Sequence, residues 1–111
     1  MASLSTLVSW ARPSARWCID VANHYGVPVT VTSVRRSRAR QAALYRSFLA
    51  GESRFPAAPP GRSAHEYGMA WDSWVPDAYR SWWIDIRRLA GWHVPAGDWI
   101  HAGVPNWRAY V

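Results

Sequence analysis

The chain has 111 residues, half of them hydrophobic and 18% charged, which suits one compact domain over 1–111 and argues against wholesale disorder. Thirteen basic residues stand against seven acidic ones, for a formal net charge of +6, and every basic residue is Arg. That excess favours anionic surroundings such as nucleic acid, phospholipid heads or an anionic cell-wall polymer, while the single cysteine, Cys18, excludes an intrachain disulfide and any cysteine-rich zinc module. No apolar run approaches the ~20 residues of a membrane span. Residues 1–10 lack the basic n-region and long apolar h-region of a signal peptide. This start predicts a protein that stays in the cytoplasm, or leaves by lysis or as part of a particle.

In chain order, residues 3–25 read as a helix, with Leu4, Leu7, Val8, Ala11, Ala15, Cys18, Val21, Ala22 and Tyr25 at spacings of three and four. Pro13 either kinks this helix or sits in the first turn of a second one, and Gly26 ends it. Residues 29–34 are β-branched and alternating, as a strand requires. Ser37 can cap a helix running to about Ala50, with Ala42, Ala43, Tyr45, Phe48 and Leu49 as its apolar side. Residues 51–64, broken by Pro56, Pro59 and Pro60, form a loop. Residues 69–74 read as a second strand, and Pro76 and Asp77 open a helix through about Ala90. Short extended pieces fill 92–111. The sum is a small α+β domain: a small antiparallel sheet with flanking helices.

The richest stretch in chemistry runs from Ser63 to Asp72. Asp72 stands in an apolar strand between Trp71 and Trp74, and a bare carboxylate is costly to bury there. A cation shared with His65 would compensate it. A third ligand must come from His24, His93 or His101. In the segment 98–101, Asp98 precedes His101 by three residues, so a carboxylate and an imidazole can face one metal, one bound and one beside it. Three protein ligands with an open position is the layout of a catalytic zinc, and the spare carboxylate then serves as general base.

The pattern Ser63-x-His65-x-x-Gly68-x-Ala70-x-Asp72 resembles the signature of the zinc D-Ala-D-Ala carboxypeptidases and dipeptidases. That family also includes the L-alanyl-D-glutamate endopeptidases that many phages use as endolysins. Ser33, Arg36, Ser37 and Gln41 are similar to the family's upstream block, with Val34 and Arg35 replacing its Gly and Tyr. Asp98-x-x-His101 resembles the closing acid-x-x-His. The resemblance covers residues 29–108. It implies a Hedgehog/DD-peptidase-like fold, with Zn2+ held by His65, Asp72 and His101. It implies Asp98 as catalytic base, Arg36 steadying a substrate carbonyl or carboxylate, and Ser63 orienting the metal site or the substrate. Gly97-Asp98-Trp99 also resembles a run that precedes the closing motif in some relatives. That second alignment would put the acid at Gly103 and the closing His at Asn106, leaving no catalytic site.

The expected activity is hydrolysis of a peptide bond in peptidoglycan stem peptides, with the loop 51–64 and the turn 93–98 as the walls of the cleft. The competing reading is a non-catalytic phage particle (virion) component that keeps the fold, in contact with other particle proteins. A nucleic-acid binder rests on charge alone, with no reading motif. A solvated basic face accounts for most of Arg35, Arg38 and Arg40, while His24 and His93 read as helix-end or surface residues. Trp74, Trp82 and Trp92 suit the core, Trp83 and Trp107 the surface. Cys18 is expected to be buried and inert.

Overall fold

A computed structural model describes residues 2–111; Met1, the first residue of the domain expected over 1–111, lies outside the described residues. Among the described residues, three α-helices flank a three-stranded antiparallel sheet. Helix α1 covers Arg12–His24 and strand β1 covers Thr30–Ser33. Helix α2 covers Arg38–Leu49, β2 Ala70–Trp74, α3 Arg80–Leu89 and β3 His101–Gly103. The sheet order is β1-β2-β3, so the strand that carries Asp72 is the central one. No helix among the described residues is long and apolar enough to cross a membrane.

The first helix is shorter than its periodicity suggests. Two single 3-10 turns, Leu4–Thr6 and Ser9–Ala11, precede α1, and Pro13 lies in its first turn. Proline is harmless there because its missing N–H is one that a helix start leaves unpaired. Ser37 caps α2 by accepting a hydrogen bond from the Arg40 N–H at 3.0 Å. The α2 face expected to be apolar does not enter the core. Gln41 is its one fully buried residue, Ala42, Ala43, Tyr45 and Phe48 are half-buried, and Leu49 is exposed. This helix packs beside the proline loop rather than on the sheet: the Gln41 side-chain amide donates to the Ala58 carbonyl at 2.9 Å.

The period of two along β2 divides its environment. Trp71 and Ser73 face the main core, where Trp71 meets Trp83 and Trp92 edge-on at 6.0 and 5.8 Å and Ser73 Oγ accepts from Trp83 Nε1 at 2.8 Å. Cys18, Ala15 and Ala22 of α1 join that cluster. Trp83 is therefore a core residue, and Trp74 is 45% exposed, the reverse of the expectation for both. The reason is helical phase. Trp83 and Arg87, four residues apart, share the buried face of α3, and Trp82 is turned about 100° away into a half-buried position. Asp72 points to the other face of the sheet.

Candidate metal centre and cleft

Three local features bring distant residues together at Asp72. The first is the turn that carries His65. Ser63 Oγ accepts from the His65 N–H at 3.3 Å, and the Glu66 carboxylate reaches back to the Ser63 N–H at 3.1 Å, a reciprocal cap on the 3-10 turn Ala64–Tyr67. Glu66 also accepts from the Gly61 N–H at 2.8 Å, tying the proline loop to the same turn. Gly68 ends the turn at φ +67°, a left-handed conformation that favours glycine. The second feature is a bulge in β1 between Val31 and Ser33, which sets Ser33 rather than Thr32 opposite Asp72. The third is the pairing of β2 with β3, which sets Asp72 opposite His101.

His65 is buried, with Nδ1 2.6 Å from the Val34 carbonyl and Nε2 3.0 Å from Asp72 Oδ1. His101 Nδ1 lies 3.2 Å from the same Oδ1. The other carboxylate oxygen, Oδ2, accepts from Arg36 Nη2 at 2.9 Å. Each nitrogen of Arg36 has a partner: its Nε also donates to Ser33 Oγ at 2.9 Å and its Nη1 to Gln41 Oε1 at 3.3 Å. Burial lowers the Arg36 pKa, while the Asp72 charge beside it acts the other way. Burial also acts to raise the Asp72 pKa, but hydrogen bonds from His101 and His65, with their charges, prevail and hold the carboxyl below its usual range.

The donor set suits a metal. A carbonyl only accepts, so His65 Nδ1–H donates to Val34, and its Nε2 faces the Asp72 carboxylate at 3.0 Å. A proton on Nε2 makes this a hydrogen bond to Asp72; without that proton, two acceptors face each other and need a cation between them. Anchoring one ring nitrogen on a main-chain carbonyl is also how metal-ligating histidines are oriented. One ligand atom each from His65, Asp72 and His101 lies within 4.8 Å of the others. His24 and His93 are exposed and stand apart, His24 beside Tyr25 and His93 in a backbone bridge to Gly103.

The three residues open into a cleft of about 510 Å³. One wall is the proline loop, through Phe55, Pro56 and Arg62, and the other is the segment Gly97 to Ile100. Arg36, Ser63, Asp98 and Trp107 also line it. Asp98 is exposed, at the cleft's edge, and its carbonyl accepts from the His101 N–H at 3.1 Å. Asn106, the alternative closing position, is an exposed residue at φ +55° that starts the last 3-10 turn. Sequence reading assigned no role to Glu66, to the Val34 carbonyl or to Arg87. Of these, Glu66 alone left a trace, the Ser-x-x-Glu spacing of a capping box.

No protein-family model and no curated protein matches the chain by sequence. Solved structures do match by shape. The LdcB LD-carboxypeptidase, whose structure concerns peptidoglycan recognition, superposes with a TM-score of 0.72 at 21% identity, over 94% of this chain and 68% of that one. DacB from Streptococcus pneumoniae gives 0.69 at 20% identity over 94% and 69%. The Serratia marcescens L-Ala D-Glu endopeptidase ChiX gives 0.60 at 24% identity over 96% and 86%. Over almost its whole length, the chain shares the DD-peptidase-like α+β fold of these three structures.

Proposed function

We propose that the protein is a zinc-dependent peptidase that hydrolyses a peptide bond in peptidoglycan stem peptides. The observation that carries this reading is the His65–Asp72–His101 cluster lining an open cleft, with ligand atoms of all three within 4.8 Å of one another. Two imidazoles and one carboxylate form a donor set that zinc favours. When bound, zinc supplies a Lewis acid that polarises the scissile carbonyl and makes water more acidic.

The chain's own residues divide the remaining work. Asp98, exposed at the cleft edge, accepts the proton of the attacking water and returns it to the departing amine. Arg36 keeps Asp72 ionised and fixed, which leaves Asp72 Oδ1 free to face the two imidazoles. From its place in the cleft lining, the Arg36 cation also favours the oxygen that becomes negative during hydrolysis. Ser63 orients His65 by capping its turn. The Arg excess of the chain favours retention on an anionic wall.

The test is direct. Purified protein should contain about one zinc per chain and should release new amino or carboxyl termini from isolated peptidoglycan. Chelation should stop the release and lower the melting temperature, because zinc binds only the folded chain. Zinc-loaded protein that releases nothing from several wall types would overturn the reading.

A further inference from the structure

Arg87 is a charged residue with no exposed surface, and among the described residues it has no carboxylate within ion-pair distance. Burying an ion costs several kcal/mol unless its surroundings compensate. A Leu or Met at this position of α3 would fill the core without that penalty. The guanidinium is compensated by main-chain carbonyls instead. Its Nη1 donates to the Ile100 carbonyl at 3.0 Å, its Nη2 to the Trp99 carbonyl, and its Nε to the Trp83 carbonyl at 3.2 Å. The Trp83 ring lies 5.3 Å from the guanidinium carbon. Burial pulls the Arg87 pKa down to about 10, which leaves it a cation at neutral pH.

Two of these three carbonyls, those of Trp99 and Ile100, lie between Asp98 and His101. The Ile100 carbonyl accepts a second hydrogen bond, from the Ser73 N–H at 3.1 Å, next to Asp72 in β2. The segment is otherwise held by two tight turns, Asp98 N–H to the Pro95 carbonyl and His101 N–H to the Asp98 carbonyl, both 3.1 Å. Fixing the planes of two successive peptides fixes the directions of the residues on either side of them. Arg88, on the next position of the helix, grips only the far end of the loop, donating to the Val94 carbonyl at 2.7 Å.

We propose that Arg87 is a positioning residue of the site: from inside the core it fixes the Trp99–Ile100 and Ile100–His101 peptides and so aims His101 at Asp72 and the cleft. It touches neither the cleft nor substrate, and its effect on turnover rests on the peptidase reading above. The geometric part does not, and can be measured on metal-free protein.

The experiment compares Arg87→Met, Arg87→Lys and Arg88→Met in the full chain. Hydrogen exchange on metal-free protein should quicken about 10-fold or more at the Ser73 and His101 amides in Arg87→Met, with the α1 amides unchanged. Arg87→Lys, which keeps the charge and reaches one carbonyl, should recover part of the protection, and Arg88→Met should leave both amides as in wild type. Zinc affinity should fall roughly 10- to 100-fold in Arg87→Met, the range for residues that orient metal ligands. In peptidoglycan assays kcat should fall with KM little changed, since a misaimed metal ligand slows the reaction more than substrate binding. Should Arg87→Met fail to fold, Arg87→Lys is read against Arg88→Met in the same assays. Wild-type exchange at Ser73 and His101 together with wild-type zinc affinity in the folded Arg87 variant would overturn the proposal. So would exchange that quickens equally in α1. A wild-type protein that binds no zinc would instead overturn the peptidase reading, leaving the exchange result to decide the positioning role.

Discussion

Asp72 and Cys18 are both weak acids largely withdrawn from water, one on the cleft face of β2 and one in the core that its other face builds, and the protein treats them in opposite ways. Burial raises the pKa of both groups. At Asp72 it is overcome by the hydrogen bonds and charges of two imidazoles, so the carboxylate stays charged, and Arg36 pairs with its other oxygen. At Cys18 nothing overcomes it: the thiol is pushed up to about 12 and stays neutral, with the Arg87 cation only partly opposing the shift. The difference lies in what surrounds each acid. The cleft face of the sheet gathers polar side chains from three separate segments around one charge, whereas the core face around Cys18 gathers tryptophans and small residues that leave a thiolate unsolvated.

The sharpest way to break this comparison is to remove the charge on the cleft face. Asp72→Asn keeps size and shape, so the metal-free chain should still melt cooperatively. Zinc binding should fall by more than the ~10- to 100-fold typical of an outer partner, because a ligand itself is lost. Peptidoglycan hydrolysis should vanish with it. Full zinc occupancy in Asp72→Asn, measured by metal analysis after dialysis, would show that the carboxylate is only an ion-pair partner for Arg36.

On the core face the expected loss is of stability. Trp83 is fully buried, stacks with Trp82, meets Trp71 edge-on, and donates its Nε1–H to Ser73. Trp83→Ala should cost about 3–5 kcal/mol in denaturant unfolding, the range for a buried aromatic truncated to Ala. The folded fraction should still bind zinc, since Trp83 touches no ligand. A loss below ~1 kcal/mol would mean that the core collapses around the cavity and that Trp71 and Trp92 carry the packing.

The edge of the cleft gives a smaller and more selective effect. Asp98→Asn should leave zinc content near the wild-type level and lower turnover roughly 100-fold, the usual size of a general-base contribution. Asn106→Ala, at the exposed start of the last turn, should change neither. Weakened zinc binding in Asn106→Ala with none in His101→Ala would contradict the pairing of His101 with Asp72 across β2 and β3.

The parts of this architecture that sequence reveals are those encoded within one segment. Ser63, His65, Gly68 and Asp72 lie within ten residues, and a cap, a left-handed glycine and a strand of period two each leave a pattern. The strands and the three helices are legible for the same reason. What escapes is either phase or main chain. Trp82 and Trp83 are adjacent and chemically identical, so composition cannot tell which faces the sheet; only the packing of α3 on Trp71 and Ser73 does. Helix α2 carries apolar residues that suggest a core face, yet its buried residue is Gln41, because its neighbour is a loop with carbonyls to satisfy. Arg87 is invisible because its partners are the carbonyls of Trp99 and Ile100, which every residue possesses.

The finest test returns to the two acids. Because the folded-state pKa of Cys18 is raised, the folded chain keeps this proton as pH climbs, while the unfolded chain releases it from about pH 9. Folding stability then falls with rising pH between about 9 and 12, and is unaffected by this group below that window. Arg87, pulled down to about 10, acts in the opposite sense above that pH, since the folded chain then sheds a proton the unfolded one retains. The clean interval is therefore between pH 9 and 10. There the wild type should lose up to ~1.4 kcal/mol per pH unit relative to Cys18→Ala, a slope set by a single proton. Urea midpoints of the two proteins at pH 8, 9 and 10 read this difference directly, since every other titrating group is common to both. Parallel curves would mean that the thiol ionises as readily in the core as in water, and that the core face solvates a charge as well as the cleft face does.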